Sequence, residues 1–229
     1  MANTAVVYDR VYGNKEINFE ASGGLINASL VMRDFETDSY WGIMKGESIG
    51  GEFKGTKLKE LPFGKKAMWK DWVSEYPNTV VLSVDGREDS DAGYQRYFSS
   101  PEGFRGSVAK DDRLRTKEPI FAFHWQQQSY AIPHSAIEGG KAFDLGEVKL
   151  FLYRPKGAAI FHSTTVYQSA RAGFNSVDGV WTYGDSGCTF DSSTARFDGN
   201  EAACPQRFAG FDTFWYNWSL NNPETKLLR

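Results

Sequence analysis

Cysteine and histidine are scarce in this chain, and each scarcity removes a class of function. Two cysteines, Cys188 and Cys204, stand in 229 residues, too few for a disulfide scaffold. They form either one bridge in an oxidising compartment or two small buried thiols. Neither belongs to a CxxC pair and no histidine follows them, which argues against a zinc module. The three histidines, His124, His134 and His162, are spaced 10 and 28 apart, and that is no metal motif. One of them could still serve as a general base, because imidazole titrates near neutrality. No run approaches the length of a transmembrane helix, and "MANTAVVYDRVYG" lacks the basic start and apolar stretch of a signal peptide. Twenty-six Lys and Arg face 29 Asp and Glu, for a formal net charge of −3. Without a basic stripe, no nucleic-acid partner is expected. No phosphate loop, dinucleotide fingerprint or haem attachment occurs, so no cofactor is implied. "GDSGC" (184–188) has the look of a serine-protease fragment, but the early histidine block that such chemistry needs is missing.

What the chain has in quantity is aromatic side chains, 15% of residues, together with 23 glycines. This pairing favours β-rich structure with many turns. "EINFEAS" (16–22) alternates Ile17, Phe19 and Ala21 against polar neighbours, the mark of a half-buried strand. "AVVYDR", "ASLVMRD", "DSYWGIM", "NTVVLSV", "IFAFHW" and "VKLFLYR" are strand-like as well. In "IFAFHW" the aromatics Phe121, Phe123 and Trp125 share one face, so His124 is expected on the solvent side. Helical signals are few. Trp69, Trp72, Val73 and Tyr76 make one apolar stripe that Pro77 stops. Phe211, Phe214, Trp215 and Trp218 have the same spacing, with Asp212 or Thr213 as a cap and Pro223 as the stop.

The two helical stretches, "WKDWVSEYPNT" (69–79) and "WYNWSLNNPET" (215–225), both fit W-x-x-W-x-x-x-x-P-x-T. Weaker likeness extends upstream, with Trp41 set against Phe190 and Gly50 against Gly199. The expectation is a mainly β (α+β) single domain, 1–229, of two pseudo-symmetric repeat halves, about 6–82 and 150–228. Short helices fall near 67–76 and 212–221, with their tryptophans facing the core. The stretch 83–149 reads as a loop-rich insertion.

The blocks "SGGLINASLVMRDFETDSYWGIMKGESIGGEFKGTKLKELP", "MWKDWVSEYPNTVVLS", "DDRLRTKEPIFAF" and "GFDTFWYNWSLNNPETKLL" resemble the signature blocks of the bacterial and archaeal family called domain of unknown function 3179. The resemblance covers nearly the whole chain. It implies an exported or envelope-associated protein, and leaves activity open. Relatives commonly carry a Cys-Pro segment before the "AVVYDR" strand. This chain reads "MANTAVVYDR" there, so its start looks trimmed, and redox or metal chemistry carried by that cysteine is not expected here.

Candidate site residues come with a competing structural reading. Asn27, Arg33, Asp34, Glu36, Thr37 and Ser39 either line a ligand pocket beside Trp41 and Trp69, with Arg33 and Asp34 as charged anchors, or supply the backbone bonds of tight turns. "EDSDAGY" (88–94) has the opening of a calcium loop, but the register from Asp89 ends on Ser100 instead of glutamate. The tryptophans either stack on ring ligands or fill the core, with Trp181 the best candidate for an exposed one. The ligand-binding set is therefore Asn27, Arg33, Asp34, Trp41, His134 and Trp181, with no metal. The expected function is an extracytoplasmic binding or structural module for a small ligand or a partner protein. The alternative is a hydrolase-like or metal-assisted enzyme at the interface of the halves, using Asp34, Arg33 and His134 or His162.

Overall fold

The computed structural model describes residues 3–83 and 92–229. The chain enters through β1 (Val7–Tyr8) and the small ladder of β2 (Val11–Tyr12) and β3 (Lys15–Glu16). It then runs back and forth as β4 (Phe19–Ile26), β5 (Ser29–Asp34), β6 (Tyr40–Gly42) and β7 (Glu47–Gly50), a four-stranded antiparallel meander. β8 (Glu60–Leu61) returns to pair with β1. Two helices follow, α1 (Trp69–Glu75) and α2 (Ala92–Ser99), and then the hairpin β9 (Pro119–Trp125) and β10 (Gln128–Pro133). Next come β11 (Lys141–Asp144), β12 (Lys149–Tyr153) and β13 (Thr165–Ser169). A second sequential meander is built from β14 (Phe174–Val177), β15 (Val180–Tyr183), β16 (Cys188–Asp191) and β17 (Arg196–Asp198). The chain closes with β18 (Gln206–Arg207), β19 (Phe211–Phe214), α3 (Trp215–Asn221) and β20 (Lys226–Leu227). The fold is mainly β, as composition and alternation predict.

Alternation along β9 and β12 explains how the layers stack. Phe121 and Phe123 of β9 pack with Leu150 and Leu152 of β12 and Val166 of β13. The intervening Ile120 and Ala122 turn the other way, onto Trp215 and Trp218. Phe151 and Tyr153 of β12 face Phe174 and Phe190 of the second meander. Both strands are therefore buried on both faces, which is why they read as near-continuous apolar runs. The layers run α3, then the sheet β19-β9-β10-β20, then β11-β12-β13-β18, then the second meander. Each large side chain sealed between layers stabilises by about 1.5–3 kcal/mol. Cys188 and Cys204 are bonded to each other, tying β16 to the loop after β17.

Several expectations are corrected. The second aromatic stripe is not one helix. Phe211–Phe214 extend as β19 along β9, from Phe211 opposite Ala122 to Phe214 opposite Pro119, and the helix starts only at Trp215. Asp212 and Thr213 are consequently no caps. The first helix is not packed in the core, since none of its residues is buried. The stretch 83–149 contributes β9 and β10, two of the central strands. Its hairpin turns on Gln126 and Gln127, both at positive φ, a two-residue turn without the Asn-Gly signature that would have announced it.

Candidate functional site

Two buried basic side chains, Arg154 and His134, gather around one buried carboxylate. Asp212, on β19, is 3% exposed. Its Oδ1 accepts from His134 Nε2 at 2.8 Å and from Thr164 Oγ1 at 2.5 Å. Its Oδ2 accepts from the Thr164 amide at 2.8 Å. Arg154, 1% exposed just after β12, brings Nη1 to 3.6 Å from Oδ1. The same guanidinium donates to the carbonyls of His162 and Ala159, holding the loop between Arg154 and Thr164 closed over itself. Lys66 enters from the linker before α1. Its Nζ donates to the Asn3 carbonyl at 2.6 Å and lies 3.5 Å from the Asp212 carbonyl. The Lys66 amide donates to Ser163 Oγ at 2.6 Å. Five pieces of chain remote in sequence are thus knotted together: the start, the linker before α1, the turn after β10, the 154–164 loop and β19.

The electrostatics follow from burial set against partners. Burial alone would push the Asp212 carboxyl up. The hydrogen bond from His134 and the positive surroundings of His134, Lys66 and Arg154 outweigh it and hold the group at about 2. Burial depresses His134 despite its bond to Asp212, so at neutral pH it is a neutral imidazole donating Nε2–H. Burial also lowers Lys66, with repulsion from Arg154 working against the attraction of Asp212, to about 8. His162 is lowered by burial and then by Arg154. Among the described residues, no three His, Cys, Asp or Glu side chains cluster as metal ligands do.

Above this knot lies a groove of about 660 Å³, lined by Lys65, Lys66, Met68, Trp69, Trp72 and Phe161. That volume is in the range of small-molecule sites. Trp69 is 53% exposed. Trp72 stacks obliquely on Tyr76, centroids 4.5 Å apart, and its indole N–H donates to Thr79 Oγ1. Lys65 bonds Glu75 and sits 5.9 Å from the centroids of both rings. Phe161 is braced edge-on by Phe98 of α2, 5.0 Å away. The knot fixes the floor of the groove through Lys66 and Ser163, and α1 supplies its aromatic wall.

The family model described as Protein of unknown function (DUF3179) matches residues 1–225. The chain belongs to this family. No curated protein and no solved structure matches the chain.

The sequence-predicted residues fall in separate places. Asp34 is sealed in the first meander, accepting from the Thr37 amide and hydroxyl at 2.7 and 2.8 Å and from Trp41 Nε1 at 2.7 Å. Trp41 is fully buried. Arg33 pairs with Glu20 and Asp38 on the surface, and Glu36 accepts from the Asn18 amide and side chain. Thr37 and Ser39 join hydroxyls at 2.6 Å. Asn27 donates to the Leu220 carbonyl, pinning the β4–β5 turn to α3. Trp181 is half-buried on Phe151, centroids 4.8 Å apart, and bonds the Gly139 carbonyl. His124 does not face solvent freely; its ring lies 4.8 Å from Trp218 and bonds Asn222. Ser186 of the "GDSGC" stretch serves its own turn, donating to the Tyr183 carbonyl. The first four residues of "EDSDAGY", 88–91, lie outside the described residues.

Asp34 is thus bonded to Trp41 and Thr37 within the first meander, and Thr37 to Ser39, while His134 joins the knot. Asp212, Arg154, Thr164, Lys66 and Phe161 were missed. A signal existed for two of them. Asp212 stands inside the aromatic run "GFDTFWYNW", and Arg154 ends the apolar strand "VKLFLYR". A charge written into a stretch that must be buried calls for a partner.

Proposed function

We propose that this protein is a binding module and that its site is the groove beside α1. One observation carries the reading: α1 repeats the residue pattern of α3, yet leaves Trp69 and Trp72 lining an open groove where α3 buries its tryptophans. Large apolar side chains stay exposed along the same stretch, among them Phe63, Met68 and Tyr76. Contiguous apolar exposure of this kind marks interaction sites. The knot beneath favours binding by holding the floor in place before a ligand arrives.

The two meanders, each followed by a seven-residue helix, support reading 6–82 and 150–228 as related halves. On that reading the second half kept its helix for packing and the first turned it to recognition. The Cys188–Cys204 bridge supports an oxidising compartment, in line with an exported or envelope setting. No helix among the described residues is long and apolar enough to cross a membrane. The enzymatic alternative draws less support, because Asp34 is saturated inside its meander and His134 is sealed against Asp212.

The test is a thermal-shift screen of small molecules and metal salts on the full chain and on Trp69→Ala. Ligands that bind the folded state raise its stability by mass action. Hits that stabilise the parent and lose their effect in the variant are expected. Hits that stabilise both proteins equally would place the site elsewhere and remove the groove from consideration.

A further inference from the structure

The groove has a sign as well as a shape. Beneath it lies one buried carboxylate, Asp212, with Arg154 Nη1 3.6 Å from its Oδ1, whereas Lys66 Nζ reaches only the Asp212 backbone carbonyl, at 3.5 Å. Both imidazoles at hand, His134 and His162, are depressed and neutral at pH 7. The remaining acids act from outside: Glu75 is bonded to Lys65, while Asp71 and Glu138 are exposed. Among the described residues no carboxylate lies within ion-pair distance of the half-buried Lys66 ammonium, and a charge drawn partly out of water without a counter-charge is costly. Lys66 also lines the groove, beside Lys65. The rest of the lining is Ala67, Met68, Trp69, Trp72 and Phe161, three of them flat rings. An anion placed there would meet two ammonium groups, and a ring attached to it would find aromatic faces within stacking reach.

We infer that the groove takes a small aromatic anion, a ring system carrying a carboxylate, sulfonate or phosphate, with its rings against Trp69, Trp72 and Phe161 and its charge against Lys65 and Lys66. The inference rests on the groove being a binding site and adds the class of ligand. It also explains why the protein, acidic as a whole at a formal −3, places two lysines at this aromatic surface opening.

Two fluorescent probes separate the class from the site. Anilinonaphthalene sulfonate and phenylnaphthylamine share the same ring system and differ by the sulfonate. Both should bind the parent chain, the sulfonate about tenfold more tightly, the size of one charge-assisted contact. Trp69→Ala should weaken both. Lys65→Gln, an exposed change that leaves the knot untouched, should weaken the sulfonate alone by several-fold; Lys66→Gln should do so more strongly if it folds, as near-ultraviolet circular dichroism will report. Equal affinity for the two probes, or a Lys65→Gln variant that keeps the sulfonate preference in full, overturns the anionic class while the site stands. Probe binding indifferent to Trp69→Ala overturns the site itself.

Discussion

α1 and α3 are both seven residues long, and each follows a residue in extended conformation, Met68 or Phe214. Each ends on a residue with nearly the same backbone angles, Tyr76 (φ −129°, ψ 74°) and Asn222 (φ −135°, ψ 70°). The amide of each donates to the carbonyl four back, and the threonine three further on donates to it in turn, Thr79 to Tyr76 and Thr225 to Asn222. Their surroundings are opposite. α3 buries Trp215, Tyr216, Asn217, Trp218 and Ser219, whereas α1 buries nothing. The tryptophans are common to both, so they do not decide the outcome. The residues between them do. Where α3 has Tyr216, Asn217 and Asn221, α1 has Lys70, Asp71 and Glu75. Tyr216 shares a hydrogen bond with Tyr97 and presses on Gly103 so closely that a Cβ there would sit 2.5 Å from the ring. Asn217 donates to the Ala28 carbonyl. A helix that is uncharged all round can be enclosed, and one with charges on its outer face cannot.

The largest effect should come from breaking the enclosed copy. Trp218→Ala empties a fully buried site between α3 and β9 and is expected to cost about 3–5 kcal/mol in denaturant unfolding. The matching Trp72→Ala removes a ring that already touches water and should cost about 1 kcal/mol or less. Equal losses at the two positions would mean that α1 is covered in solution as α3 is.

The knot is the next target, because it joins the two regions. Asp212→Asn leaves the buried Arg154 without its buried counter-charge, for an expected loss of about 3 kcal/mol. Acidification probes the same contact. Asp212 is held at about 2 against an ordinary 3.8, so its contribution, about 2 kcal/mol, is present above pH 4 and is lost as pH falls through 2. His134, depressed by burial, acts in the same direction from a higher pH, since its protonation favours the unfolded chain. Stability of the parent should therefore fall steadily on acidification, and Asp212→Asn should lack the steepest, most acidic part of that fall. A variant whose curve parallels the parent's down to pH 2 would show that Asp212 is not held by charge.

The β-rich class and the two short helices were legible, because alternation and the Trp-to-Pro spacing report local geometry. What the helices packed against was not. "WKDWVSEY" and "WYNWSLNN" give the same apolar stripe, and burial depends on neighbours such as Gly103 and Ala28 that come from elsewhere in the chain. The turn residues around Asp34 were legible as turn chemistry, since Asp34 and Thr37 bond within three residues. The knot was illegible for the opposite reason: its members, Lys66, His134, Arg154, Thr164 and Asp212, are brought together only by tertiary structure. The β19 strand was misread because Phe211 and Phe214 lie three apart, a spacing that helix and strand can both accommodate when both faces are buried.

The smallest expected change in stability is the one that tests what α1 is for. Trp69 is more than half exposed, and Trp69→Ala should shift unfolding by no more than about 1 kcal/mol. Its counterpart Trp215 is fully buried, with its indole N–H bonded to the Asp111 carbonyl at 2.9 Å, and removing that ring should cost about 3–5 kcal/mol, as at Trp218. If folding were the only pressure on the motif, Trp69 would be dispensable in every assay. The binding reading separates two quantities at this one side chain: near-parental unfolding, and the loss of most affinity for the naphthylamine probes. A Trp69→Ala protein that is as stable as the parent and binds both probes as well would leave the first copy of the motif without a role in recognition, and the contrast between α1 and α3 would then reduce to packing alone.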